Sequence, residues 1–176
     1  TVKRQSGFLY PTLEDNSSVG FSTSTPYFWA ISDNKDMTFT PKIYTKENLL
    51  VLHEYRHAFK DSFLLVDSGY TKGYKKTDKL KKSDGSRSHL FVKYNHDLSK
   101  DDFSSNLEIN FQQVNNDTYL KVHDIETELA DKNENIITKD INYEFQSDKN
   151  YLGISAAMYE NLTSSDSDKT RFEYSV

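Results

Sequence analysis

The sequence predicts an all-β fold, an antiparallel up-and-down meander of about eight or nine strands. Aromatic residues make up 14% of the 176 residues, with twelve Tyr and eleven Phe, although the chain as a whole is hydrophilic. Apolar and polar residues alternate over several stretches, which is typical of strands with one apolar and one polar face. At this point the pattern fits both a soluble sandwich and a transmembrane β-barrel.

The alternation is clear in five runs. In the first run, "DMTFTPKIYT", Met37, Phe39, Pro41 and Ile43 fall on one face, and Thr38, Thr40, Lys42 and Tyr44 fall on the other. Successive side chains of a strand point to opposite faces, so this period of two indicates strands. The runs that show it are 36–45, 89–98, 103–114, 137–146 and 151–161.

Short polar segments rich in Asn and Asp separate these runs and have the length of hairpin turns. They cover 32–36, 45–48, 98–102 and 147–150. Two connections are longer, namely a basic segment at 71–88 and a mixed one at 115–135. The basic segment is expected to be a solvated loop, with contact to lipid phosphates as the alternative.

Composition narrows the function classes. The length predicts one domain, and the net charge of -5 without a basic stripe makes nucleic acid an unexpected partner. The absence of cysteine excludes disulfides and Cys-based metal sites within this chain. The apolar runs are too short for a membrane-spanning helix. Because the chain starts at Thr1 without a leader, it is expected to be a fragment or processed product.

The segment "HEYRH" matches the H-E-x-x-H zinc signature of metalloproteases through His53, Glu54 and His57. On a helix, residues four apart share a face and two imidazoles can bind one metal. On a strand, four residues span about 13 Å, which is too far for one zinc ion. The neighbouring segments are better strands than helices, so a strand is predicted here and the zinc protease is kept as an alternative function.

Several stretches resemble the start of the barrel domain of the LPS-assembly protein LptD family, also called Imp/OstA. "SGFLYPTL" at 6–13 is similar to the run that leads into that barrel, and "VGFSTSTPYFWAISDNKDMTFTPKIYT" at 19–45 is the strongest match. "HEYRH" lies where the family has an Asn-Glu-Phe-Arg-Tyr-like strand. "FVKYNHDL" and "LEINFQQVNNDTYL" also resemble family segments in the same order.

The resemblance implies that residues 1–176 are the N-terminal portion of an outer-membrane β-barrel domain, with 1–18 as a lead-in segment. It implies a partial transmembrane barrel in a Gram-negative outer membrane that inserts lipopolysaccharide into the outer leaflet without enzymatic chemistry, cofactor or metal. The implied partners are lipopolysaccharide, an LptE-like lipoprotein plug and an LptA-like periplasmic bridge. A generic β-rich binding module or a porin-like barrel is a further alternative.

Four residues are candidates for function. Pro26 and Pro41 fall in the first two strands, where proline removes a ladder donor. The resemblance implies that they weaken a lateral gate, whereas strand ends or bulges are the alternative. Glu54 and Arg56 are expected to face the lumen if Tyr55 faces lipid, and a structural ion pair is the alternative.

The aromatic residues distinguish a barrel from a sandwich. Outward aromatics of a membrane barrel lie at two levels along the strands, whereas the apolar faces of a sandwich meet in one core. Phe28, Trp29, Tyr94 and Tyr119 are compatible with interfacial girdles and with ordinary packing.

Overall fold

The computed structural model describes residues 4–72, 85–165 and 167–176. Twelve strands and one short helix are present among these residues. The strands are β1 (Gly7–Phe8), β2 (Thr12–Asn16), β3 (Gly20–Ser24), β4 (Tyr27–Ser32), β5 (Lys35–Tyr44), β6 (Leu50–Ala58), β7 (Ser62–Thr71), β8 (Arg87–Asp97), β9 (Phe103–Val114), β10 (Ile136–Ser147), β11 (Tyr151–Asn161) and β12 (Phe172–Ser175). The helix α1 (Tyr119–His123) lies between β9 and β10.

All strands belong to one antiparallel sheet, which confirms the predicted fold class. From β4 to β12 each strand pairs with the next one along the chain. The described strands form an open sheet, with β1 and β2 at one edge and β12 at the other. The strand number exceeds the eight or nine predicted mainly because short breaks divide two extended runs into β1 and β2, and into β3 and β4.

The five alternating runs correspond to β5, β8, β9, β10 and β11. Short turns join β4 to β5, β6 to β7, β8 to β9 and β10 to β11 at one end of the sheet. The basic segment predicted at 71–88 lies largely outside the described residues, since 73–84 are not among them. The segment 115–135 contains α1 and connects β9 to β10 at the other end of the sheet.

The sheet has one apolar and one polar face. From β5 to β11 the strands pair in continuous register, so directly paired residues share a face along the whole meander. The apolar face carries large exposed side chains, including Phe39, Ile43, Tyr70, Leu90, Ile141 and Ile154. On the polar face, Thr38 pairs with Glu54 and Glu54 with Asp67, and two residues along the strands Lys93 pairs with Asn110 and Asn110 with Asp140.

The hydrophobic core lies on the polar face, at the end where α1 packs. Tyr119, Leu120 and Ile125 of the α1 segment, defined as residues 115–135, are buried against the sheet. The sheet contributes residues such as Leu50 and Phe91. The apolar face therefore stays uncovered while the α1 segment closes part of the polar face, an arrangement unlike two sandwich layers with one shared core.

Candidate functional site at the proline seam

The first strands of the sheet break at a common level. β3 and β4 are consecutive pieces of one extended run, separated by Thr25 and Pro26. Both pieces pair with β5, since Ser24 lies opposite Lys42 and Tyr27 lies opposite Phe39. We call this break, together with the facing part of β5, the proline seam.

Pro41 lies opposite Thr25 in this register. The Thr25 N–H donates to the Pro41 carbonyl oxygen at 3.3 Å. In an antiparallel ladder the opposite residue would return a second hydrogen bond, but proline has no N–H to donate. The ladder between β5 and the β3–β4 run therefore lacks one bond at this position.

Pro26 removes a donor on the other side of the same run. Its carbonyl oxygen accepts a hydrogen bond of 2.8 Å from the Leu9 N–H, in the break between β1 and β2. The return bond from Pro26 is again impossible because the nitrogen carries no hydrogen. Each edge of the β3–β4 run is thus weakened next to a proline, and Pro11 lies in the adjoining break of the lead-in.

Glu54 and Arg56 lie on the polar face, opposite the face of Tyr55 and His57. The Arg56 Nη1 is 3.6 Å from the Glu54 carboxylate, but its closest partner is Asp36, with Nε to Oδ1 at 2.9 Å. Asp36 is buried and also pairs with Arg4 of the lead-in. Sequence reasoning missed Asp36, because it belongs to a turn-like run and its partners lie 20 and 32 residues away.

A second ion pair joins the lead-in to β5. The Lys42 Nζ lies 2.6 Å from the Glu14 carboxylate of β2. Lys42 also donates to the carbonyl oxygens of His123 and Asp124, both at 3.3 Å. The buried Lys42 ammonium thus links β2, β5 and the C-terminal end of α1, where carbonyl groups attract a positive charge.

The α1 segment is held on the polar face by a tyrosine. Tyr119 is fully buried, and its hydroxyl lies 3.3 Å from His89 Nδ1. The other ring nitrogen of His89 lies 2.6 Å from Asp67. Gly69, which pairs with both Leu52 and His89, leaves the space that the Tyr119 hydroxyl fills. Tyr119 therefore packs in the core and does not belong to an outward girdle.

The C-terminal end of α1 is capped by the backbone that follows it. Asp124 adopts a left-handed conformation with a φ of 53°, and the Ile125 N–H donates to the Leu120 carbonyl oxygen at 2.9 Å, which ends the helix. The Lys132 ammonium contacts the Asp124 carboxylate at 2.8 Å. This hydrogen bond raises the pKa of Lys132 above its ordinary value.

The "HEYRH" segment lies within the strand β6, as the sequence predicted. His53 and His57 lie on the apolar face, and His53 packs against the Phe39 ring with 4.9 Å between centroids. Glu54 lies on the opposite face, so the histidines and the glutamate of the signature do not converge as they would on a helix. Within the described residues no group of three or more metal-ligating side chains is arranged around one point.

A family model described as "LptD protein" matches residues 1–173. The chain belongs to the LptD family. The similarity thus extends beyond the segments that carried the resemblance in the sequence, through the last strands of the meander. In the described part of this LptD-family chain, no helix is long and apolar enough to cross a membrane.

Individual LptD relatives match shorter stretches. LPS-assembly protein LptD of Legionella pneumophila (strain Lens) is 31% identical over 139 residues, which cover 72% of this chain and 16% of the relative. The protein of the same name from Actinobacillus pleuropneumoniae serotype 7 (strain AP76) is 31% identical over 97 residues, covering 55% of this chain and 12% of the relative. LPS-assembly protein LptD of Shewanella oneidensis is 42% identical over 55 residues, which cover 31% of this chain and 7% of the relative. The chain thus matches only a small part of the length of these LptD proteins.

Proposed function

We propose that the protein containing this chain assembles lipopolysaccharide at the outer membrane of a Gram-negative bacterium, and that this chain supplies the first strands of its β-barrel. Family membership supports the assembly role, since the relatives are named LPS-assembly proteins. The uncovered apolar face of the sheet suits contact with lipid, and the polar face suits a lumen. No covalent chemistry is needed for this function.

The observation that carries the proposal is the proline seam. A lateral gate must open between strands, and each hydrogen bond that the ladder lacks lowers the free energy of separating them. Pro26 and Pro41 each delete one such bond on either side of the β3–β4 run. We assign these two prolines to the gate, through which lipid tails enter the membrane while sugars leave the lumen.

Glu54 and Arg56 are proposed to face that lumen. Both lie on the polar face, and the Asp36 contact gives Arg56 a structural role in holding β5 against β6. Lipopolysaccharide is the proposed substrate. A lipoprotein plug similar to LptE and a periplasmic bridge similar to LptA are the proposed partners, which rest on family membership alone.

The test uses the full-length protein in a Gram-negative host depleted of its own LptD, with arrival of new lipopolysaccharide at the cell surface as the readout. The wild type should restore arrival. In Pro26→Ala with Pro41→Ala, one ladder bond of about 1 kcal/mol is restored at each edge of the β3–β4 run, so the population opened at either edge should fall by about 5-fold. Delivery should therefore slow.

Thr38→Ala is the matched control, because it changes a side chain of β5 without adding a backbone donor. A double proline variant that delivers at the wild-type rate would reject the gate while leaving the assembly role intact. A wild-type protein that is inserted in the outer membrane yet restores no delivery would reject the assembly role itself.

A further inference from the structure

The lead-in covers the outer edge of the β3–β4 run. β1 pairs with β4 from Gly7 opposite Phe28, and β2 pairs with β3 from Thr12 opposite Ser24. Each backbone group on that edge can join only one neighbouring strand. If the proposed barrel closes, its last strand needs the same edge, so the lead-in and the closing strand exclude each other there.

Two ion pairs hold the lead-in in place, and the lead-in supplies the cation of one pair and the anion of the other. Arg4 pairs with Asp36, and Glu14 pairs with Lys42, so both pairs reach across the β3–β4 run to β5. They lie on either side of the proline seam. Arg4 also lies over the Phe28 ring, at 5.4 Å from its centroid.

Release of the lead-in leaves the buried charges of β5 with other partners. Asp36 keeps the hydrogen bond from Arg56 at 2.9 Å, and Lys42 keeps the carbonyl oxygens at the end of α1. Removing the only partner of a buried charge is costly. Because Asp36 and Lys42 each keep a second partner, the lead-in can leave without stranding an unpaired buried charge on β5.

The lead-in itself is weakly built. β1 has two residues and β2 has five, and the break between them contains Pro11. Its apolar side chains are poorly covered, with Phe8 76%, Tyr10 94% and Leu13 67% exposed. Such a strand gains little from burial, so it is more easily displaced than the strands within the meander.

We propose that residues 4–16 form a displaceable cover strand, which occupies the edge of the gate and must leave when the closing strand of the barrel pairs there. This inference rests on the proposed function, since it needs a closing strand. Its chemistry is that of β-strand addition to an open sheet edge, held by two ion pairs and reversible because little apolar surface is buried.

The test introduces Leu13→Cys with Thr23→Cys in the full-length protein. These residues are paired neighbours, their side chains lie on the face opposite the ion pairs, and the chain has no other cysteine. In the oxidising periplasm a disulfide should form and lock the lead-in on the edge. Lipopolysaccharide delivery should then fall and return on reduction. Val51→Cys with Tyr70→Cys, a paired position between β6 and β7, should crosslink without loss of delivery.

The outcomes of this experiment distinguish failure of the cover-strand proposal from failure of the proposed function. Absence of the Leu13–Thr23 crosslink, or a full crosslink with unchanged delivery, would overturn the cover strand. Failure of the reduced protein to deliver would instead count against the proposed function. Glu14→Lys, which repels Lys42, should lower the crosslinked fraction about two- to five-fold, whereas Asp15→Lys on the same strand should not.

Discussion

The space that Gly69 leaves for the Tyr119 hydroxyl offers a direct test of how the α1 segment is held on the sheet. A Cβ atom placed on Gly69 would lie 2.6 Å from His89 Cε1, 2.7 Å from Leu52 Cδ2 and 2.7 Å from the Tyr119 hydroxyl oxygen. The backbone conformation of Gly69 is accessible to alanine, because its φ is not positive; among the described glycines only Gly20 has a positive φ. The effect of Gly69→Ala must therefore come from packing.

The expected magnitude follows from two opposing terms. Forcing a methyl group into a packed interior costs about 1–3 kcal/mol, because neighbours must leave their preferred rotamers. Replacing glycine by alanine in a strand returns about 0.5–1 kcal/mol of backbone entropy. His89 cannot yield easily, since it is buried and held by Asp67 at 2.6 Å. The net expectation is a loss of about 1–2 kcal/mol in the free energy that docks Tyr119.

Hydrogen exchange of the full-length protein in detergent measures this loss locally. Peptides from residues 115–135 should exchange about 5- to 30-fold faster in Gly69→Ala, if the segment opens before it exchanges. Gly153→Ala is the matched control in β11. Its new Cβ meets the exposed ring of Tyr151, with the hydroxyl at 2.9 Å, and that side chain can move aside.

A second substitution separates the tyrosine from its neighbours. Tyr119→Phe removes the hydroxyl that the new methyl group would meet, so the effect of the double variant Gly69→Ala with Tyr119→Phe should be smaller than the sum of the two single effects. Unchanged or slower exchange of residues 115–135 in Gly69→Ala would refute the reasoning, since the methyl group would then fit without displacing Tyr119.

Two ion pairs allow further tests on the full-length barrel. Arg171→Met should destabilise it by about 3 kcal/mol or more, since it leaves the buried Glu160 carboxylate without a guanidinium 2.9 Å away; a lower melting temperature of the compact form on gels checks this. In double-mutant cycles of denaturant stability, Arg56 should couple more strongly to Asp36, at about 1 kcal/mol, than to Glu54, at a few tenths. Equal couplings, or an unchanged melting temperature, would contradict these expectations.

The strands were predictable because their signal is local. The alternation over 36–45 and 137–146 depends on the residues themselves, and it correctly indicated β5 and β10. The same reasoning assigned "HEYRH" to a strand, although the H-E-x-x-H motif is typical of a zinc-binding helix. The number of strands was less accessible, since a proline in an extended run can mark an edge, a bulge or a break.

The contacts at the candidate site depend on long-range register, which the sequence does not display. Lys42 donates to the His123 carbonyl oxygen, 81 residues later in the chain, and the Tyr119 hydroxyl reaches His89 across 30 residues. Asp36 is both the last residue of the turn-like segment 32–36 and the first of the alternating run 36–45, so its partners could not be read from its position. These side chains come together only once the sheet has fixed which strand lies beside which.

The unbroken register from β5 to β11 also bears on how such a chain can change over generations. Substitutions affect single positions, but one inserted or deleted residue within these strands would turn every following side chain of that strand to the opposite face. An insertion in β8 before Phe91, for example, would move Phe91 from the core side to the apolar face, together with the residues that follow it in that strand. Length variation is therefore expected to collect in the turns and in the two long connections, while the strands vary only by replacement.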